Sequence, residues 1–234
     1  IDTVDGQGRV VAARKRSGGR TPLTRERILR AAIEFADVNG IQALSMRKLA
    51  DQLGFEVMSL YNHVINKADI LSGVVDLVMV DVQPPGDMPW RAAVHGLIGE
   101  AHRALEQHPW LTRLWYTTGS GPARLRYMET LLEILRTGGG FSAELTSHGF
   151  RAINRHLLGF AAEELEVQVD DDDLAVAGFL EQISEGRYPR LVEQANHRIA
   201  NLADNRDFFI GLDLILDGLE QAGAREATPG QDRG

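Results

Sequence analysis

Between Leu44 and Leu71 the chain reads LSMRKLADQLGFEVMSLYNHVINKADIL, which places two helix-start signals and an internal glycine stop within 28 residues. Ser45 is an N-cap for a short helix carrying Leu49, Ala50 and Leu53, and Gly54 ends it. A second short helix follows from about Val57 to Val64, with Leu60 and Val64 four residues apart on its buried side. Asn66 then caps a longer helix that reaches about Val82. Two short helices around a glycine turn form the layout of a helix-turn-helix, whose second helix lies in the major groove of DNA while the first crosses the backbone. Ser59, Tyr61, Asn62 and His63 supply hydroxyl, amide and imidazole groups to phosphates and base edges. The competing role for Tyr61 and His63 is to cover a small helical core.

The charge pattern favours the DNA-binding reading. Residues 1–70 carry 11 basic and 8 acidic side chains and the remainder 14 and 25, so an overall charge of −8 conceals a basic head. Between Arg9 and Arg30 eight basic residues face one acid, Glu26. Residues 1–20 are expected to be a flexible basic arm, which is also consistent with a solubilising tail. The chain has no cysteine, hence neither disulfide nor thiolate. The first 30 residues lack the apolar core of a signal peptide, and the apolar runs GVVDLVMVDV and FFIGLDLILDGL are interrupted by acids, so no membrane span and a soluble, cytoplasmic protein are expected.

Before the helix-turn-helix, Ile28, Leu29, Ala32, Ile33, Phe35 and Ala36 recur at helical spacing from about Arg25 to Asn39, with Gly40 as the stop. QPPGDMP at 83–89 is the clearest break in the chain. Beyond it, helices are expected at Trp90–Gln107, Pro109 to about Thr117, Pro122–Arg136, Ser142 to about Val167, Leu174–Glu185, Pro189–Leu202 and Asp207–Ala222. No sustained period-2 alternation occurs. The expected fold is all-α, with an N-terminal three-helix helix-turn-helix domain (21–70), a larger helical bundle (71–222) and a frayed tail (223–234).

These residues resemble the TetR family of bacterial one-component regulators. ILRAA, NGIQALSMRKLADQLG and LYNHVINKADIL follow the family's N-terminal pattern, including its L-Y-x-H-x-x-x-K signature. DFFIGLDLILDGLE and GFAAEELEVQ resemble the last core helix and the end of the long eighth helix of the tetracycline-repressor class, so the resemblance covers about Leu23 to Gln221. It implies that Arg47 reads a guanine, for which the bidentate guanidinium is suited; a plain surface charge is the alternative. It further implies that Ser59, Tyr61, His63 and Lys67 touch phosphates or clamp the backbone. Val57, Met58 and Asn62 stand where the tetracycline repressor carries Gln, Pro and Trp, so the operator sequence should differ.

The resemblance also implies a small-molecule inducer, release of a double-stranded, palindromic DNA operator, and a homodimer formed by a four-helix bundle of the helices at Ser142–Val167 and Asp207–Ala222. Phe208, Gly211, Ile215 and Gly218 are the expected interface residues, the two glycines offering close approach; the alternative is a core helix of a monomer. Tetracycline recognition is not expected. Trp115 falls where the class has its magnesium-binding His, and Gln83 and Leu97 replace its drug-fixing His and Asn. Glu163 alone matches a carboxylate, and one carboxylate is no metal site. An apolar or aromatic inducer is expected instead, lined by Leu97, Ala101, Leu114, Trp115, Thr118, Met128, Leu131, Leu132 and Leu135. His148, Arg151, Asn154 and Arg155 form a polar stripe that could meet an anionic group of the ligand, a dimer partner or solvent.

Catalysis finds little support. No His pair has the i, i+4 spacing of a helical metal site, and no glycine-rich loop follows a strand, so neither cofactor nor bound metal is expected. Asp170 to Asp173 precede an expected helix start, where negative charge is favoured electrostatically. A helical adapter that binds proteins through its apolar last helix remains the alternative function, but it leaves the basic head unexplained.

Overall fold

The computed structural model describes residues 22–83, 86–169, 188–200 and 206–227. Every regular element among them is helical: α1 Arg25–Asn39, α2 Met46–Leu53, α3 Val57–Leu60, α4 Lys67–Met79, α5 Trp90–Gln107, α6 Leu111–Leu114, α7 Pro122–Glu133, α8 Ala143–Val169, α9 Pro189–Ala200 and α10 Arg206–Ala227. The basic arm, the helix expected at Leu174–Glu185 and the acids Asp170 to Asp173 lie outside the described residues.

The head assembles because each of its helices starts on a side-chain cap. Thr24 accepts from the Arg27 N–H, Ser45 from Lys48 and Asn66 from Asp69, each satisfying an otherwise orphaned donor. Gly54 closes α2 in the left-handed conformation at φ 72°. Ile28, Ala32, Leu49, Leu60 and Ile70, all fully or nearly fully buried, make the core between α1, α2, α3 and α4. Regular α3 geometry ends at Leu60, four residues short of the expected Val64. The Val64 N–H still bonds the Leu60 carbonyl, so the apolar pair Leu60 and Val64 is kept, and both are buried.

α4 is shared between head and body. Its start packs on α1 and its later turns contact α5, α6 and α7, so the division expected at residue 70 falls inside one continuous helix. Around it the bundle buries Leu97, Ile98, Leu105, Leu111, Leu131, Leu157, Leu212 and Leu216. α10 lies along α8 and is held to α5 by Arg91, which donates to Asp213 at 3.0 Å and Asp217 at 2.7 Å.

Three elements depart from expectation for local reasons. α7 does not run to Arg136 as an α-helix; it loosens into a π turn at Ile134–Gly138, where Gly138, Gly139 and Gly140 remove the side chains that hold a regular helix. α6 is one turn long, although helical bonds from Trp115 and Thr118 extend it in effect to Thr118. The tail stays helical to Ala227, because Ser142 donates to Glu226 at 3.0 Å and Phe141 lies against Gly223.

Candidate nucleic-acid interface and ligand core

Most of the side chains expected to contact DNA are exposed on the head. Arg47, in the first turn of α2, is exposed, as are Met58 (71 %), Tyr61 (44 %), Asn62 and His63 around α3. Ser59 is half-buried, and Val57 is half-buried and packs against the core. Met58 and Ile65 (80 %) are large apolar groups left in solvent next to this polar set. Such groups suit contact with a thymine methyl.

Lys67 makes a contact that its sequence position does not reveal. Its half-buried ammonium donates to the Leu44 carbonyl at 2.6 Å, bracing the start of α4 against the approach to α2. Asp69 adds a further brace, taking both terminal nitrogens of Arg25 at 2.7 and 2.8 Å and the Ile65 N–H at 2.9 Å. The Arg25 hydrogen bonds hold the Asp69 carboxyl below its ordinary range against the opposing effect of burial, and the Ile65 N–H adds to them. Arg25 and Arg30 are thus both paired with carboxylates, Arg30 with Glu26 at 2.8 Å, so the cationic strip expected along α1 is partly neutralised within the chain.

The expected ligand residues converge on the body core. Leu97, Ala101, Leu114, Trp115, Leu131 and Leu135 are buried, and Thr118, Met128 and Leu132 are half-buried. The Thr118 hydroxyl donates to the Leu114 carbonyl at 2.9 Å, so its proton is already committed. Two residues overlooked in the sequence sit among them. Tyr127 is almost wholly buried, meets Trp115 edge-on at 5.7 Å and donates to Asn154 at 3.1 Å; burial raises its phenol far above the ordinary value. Arg124 is 6 % exposed, with its guanidinium 5.0 Å over the Trp115 ring. Both lie on the stripe 124, 127, 131, 135, whose i, i+3/i+4 spacing was the available signal. The polar stripe on α8 divides: Asn154 is buried against Tyr127, whereas His148, Arg151 and Arg155 are exposed.

Of the expected interface residues of α10, Phe208 and Gly211 face their own subunit. Phe208 is fully buried within its own subunit, stacked on His102 at 3.9 Å and on His156 at 5.0 Å. A Cβ on Gly211 would come within 2.5 Å of the His156 ring, so this glycine permits close approach to its own α8, and Ile215 is half-buried. The outward stripe is Ile210 (56 %), Leu214 (69 %) and Gly218, beside which there is open space. These follow one another at i, i+4 on the side opposite Phe208, Leu212 and Leu216.

Residues 83–222 match the family model of the tetracyclin repressor-like C-terminal domain. The chain belongs to the TetR family. It is 32 % identical over 217 residues to the HTH-type transcriptional repressor DrrR1 of Streptomyces coeruleorubidus, spanning 87 % of this chain and 79 % of that protein. It is 25 % identical over 203 residues to the class C tetracycline repressor protein of Escherichia coli, spanning 85 % of this chain and 91 % of that one. Its fold matches that of the Streptomyces coelicolor TetR family protein ActR, solved in complex with (S)-DNPA, with a TM-score of 0.71 and 31 % identity over 87 % of this chain and all of the other. This member of the TetR family is accordingly a ligand-responsive, DNA-binding transcriptional regulator with a helix-turn-helix head and an all-helical body. No helix among the described residues is long and apolar enough to cross a membrane.

Proposed function

We propose that this protein is a homodimeric repressor that holds a palindromic operator through two copies of the Arg47–His63 face and releases it when a small apolar or aromatic molecule occupies the α5–α7 core. The observation that carries the reading is the exposed set Arg47 and Met58 on two short helices and Tyr61, Asn62 and His63 in the turn after them, braced by Lys67 and by the Asp69–Arg25 pair. Arg47 reads a guanine, Met58 and Asn62 meet base edges, and Ser59, Tyr61 and His63 hold phosphates. Lys67 holds the head together and brings positive charge to the backbone. Dimerisation uses the outward stripe of α10 with the exposed side of α8, where Gly159 has open space beside it. ActR, the similar solved protein, is recorded with a small molecule bound, in keeping with an inducer site in this body. The protein carries out no catalysis, needs no cofactor and acts on DNA in the cytoplasm.

Selection of bound duplexes from a random-sequence library by the full chain tests this reading. The expected product is a two-fold symmetric site whose half-site centres lie one helical turn, roughly 34–36 Å, or a multiple of it apart. Recovery of duplexes with no shared or symmetric sequence would remove the operator reading and favour the helical adapter.

A further inference from the structure

Arg124 is a buried cation in an apolar neighbourhood. It is 6 % exposed and lies among Trp115, Ala123, Tyr127 and Leu131, each 5 % exposed or less. Its terminal nitrogens donate to the Trp115 and Thr118 carbonyls, while its Nε–H is buried with no hydrogen-bond partner. Carbonyl oxygens satisfy donors but carry no net charge, and the carboxylate that contacts this residue, Asp76 at 3.1 Å, accepts from its backbone N–H and not from the guanidinium. The ionisable group that acts on it is the Tyr116 phenol. Burial pushes the Arg124 guanidinium below its ordinary value, with Tyr116 acting in the opposite sense. Folded chains rarely bury a charge without a counter-charge, because taking an ion out of water is strongly unfavourable. Nothing in helix formation requires arginine here: Ala123 and Tyr127 on the same side of α7 are uncharged, and a residue whose only task was to fill this space would be apolar.

We infer that the inducer is an aromatic acid, with its anionic group paired to Arg124 and its ring system set against Trp115 and Tyr127. This rests on the α5–α7 core being the ligand site, as proposed above, and adds the chemical class. The guanidinium retains an unused Nε–H to offer a carboxylate or sulfonate oxygen, and the low-dielectric surroundings strengthen such a pair. The exposed cations of α8, Arg151 and Arg155, are poorer candidates, since water screens them.

Two fluorescent probes of similar shape and opposite character test it on the full chain: anilinonaphthalene sulfonate, an anion, and phenylnaphthylamine, its neutral counterpart. Arg124→Met should weaken sulfonate binding by about thirty-fold or more, as loss of one partner of a buried charge pair does, and change the neutral probe by less than about two-fold. Arg124→Lys, which keeps the charge, should retain most of the preference. Trp115→Ala should weaken both probes. Equal effects of Arg124→Met on the two probes, or none on either, would overturn the counter-ion role while leaving the pocket standing if Trp115→Ala still weakens both. Indifference of both probes to Trp115→Ala would overturn the pocket and the inference together. Should circular dichroism show Arg124→Met unfolded, competition on the wild-type chain decides. Naphthoate should displace the sulfonate at least about ten-fold more effectively than naphthamide, and equal displacement contradicts the inference.

Discussion

Asp69 shows how much of the head's geometry depends on single side chains. It takes two hydrogen bonds from Arg25 and one from the Ile65 backbone, so it fixes α1 to α4 and the turn after α3 to both. Its carboxyl is held below the ordinary value, chiefly by Arg25. A depressed carboxyl contributes stability that is present above its unfolded value, about pH 3.9, and is lost as pH falls through the lower folded value. Asp69→Asn should therefore lower the melting temperature at pH 7 and narrow its gap to the wild type below about pH 4, followed by circular dichroism across pH 7 to 3. An unchanged gap through that range would show that the pair contributes nothing through ionisation. At this scale the sequence was informative where position on a helix decides exposure, as for Arg47 at the start of the capped α2 and Leu60 on the buried side of α3. It was uninformative where a long side chain chooses its partner in three dimensions: the Lys67 ammonium finds a carbonyl 23 residues away in sequence, and Val57 turns to the core because α3 is so short.

Between elements, two carboxylates fasten the head to the body. Asp37 on α1 accepts from the Trp110 indole at 2.7 Å and bonds His108 at 2.8 Å, immediately before α6. Asp76 on α4 accepts the Ala123 and Arg124 N–H groups at 2.8 and 3.1 Å, capping α7 from outside its own sequence. Gly121 makes room for this, since a Cβ there would fall 2.3 Å from the Asp76 carboxyl carbon. The same helix end thus receives α4 through its backbone and presents Arg124 to Trp115 through its side chain, which connects the ligand core to the rod that carries α2 and α3. Asp76→Ala should cost about 1 kcal/mol of stability, as loss of an N-cap does, and reduce ligand-induced release more than basal DNA affinity. Urea unfolding and an operator-release titration read the two effects, and release unaltered from wild type would place the coupling elsewhere. Sequence periodicity located α7 but not its cap, because the cap residue lies 47 positions earlier in the chain.

For the whole molecule, the α10 face illustrates the limit of an apolar pattern. A helix that is apolar almost all round announces burial on two sides without saying which side faces inward. Packing decides: Phe208, Leu212, Leu216 and Leu219 are buried in the subunit, which leaves Ile210, Leu214 and Gly218 outward. In the proposed dimer, Ile210→Glu with Leu214→Glu buries two charges per protomer at the interface, so sedimentation should show a monomer with a folded far-ultraviolet spectrum and greatly weakened operator binding. A dimer that persists with both substitutions would move the interface to another face. The all-helical class, the helix-turn-helix and the two-part organisation were legible because they rest on caps, glycines and periodicity, which are local. The rotational setting of each helix and the identity of the buried cation rest on tertiary packing.

Binding of the selected duplex and a scrambled duplex of equal length, titrated from low to high salt with wild type and Arg47→Ala, tests the central claim of a base-reading, phosphate-neutralising head. The account predicts that wild-type affinity for both falls steeply and linearly in log–log form as counterions are rebound, that the selected duplex is preferred throughout, and that Arg47→Ala removes about 1–3 kcal/mol of that preference. Salt-insensitive binding, or equal affinity of the wild type for the two duplexes, would contradict it.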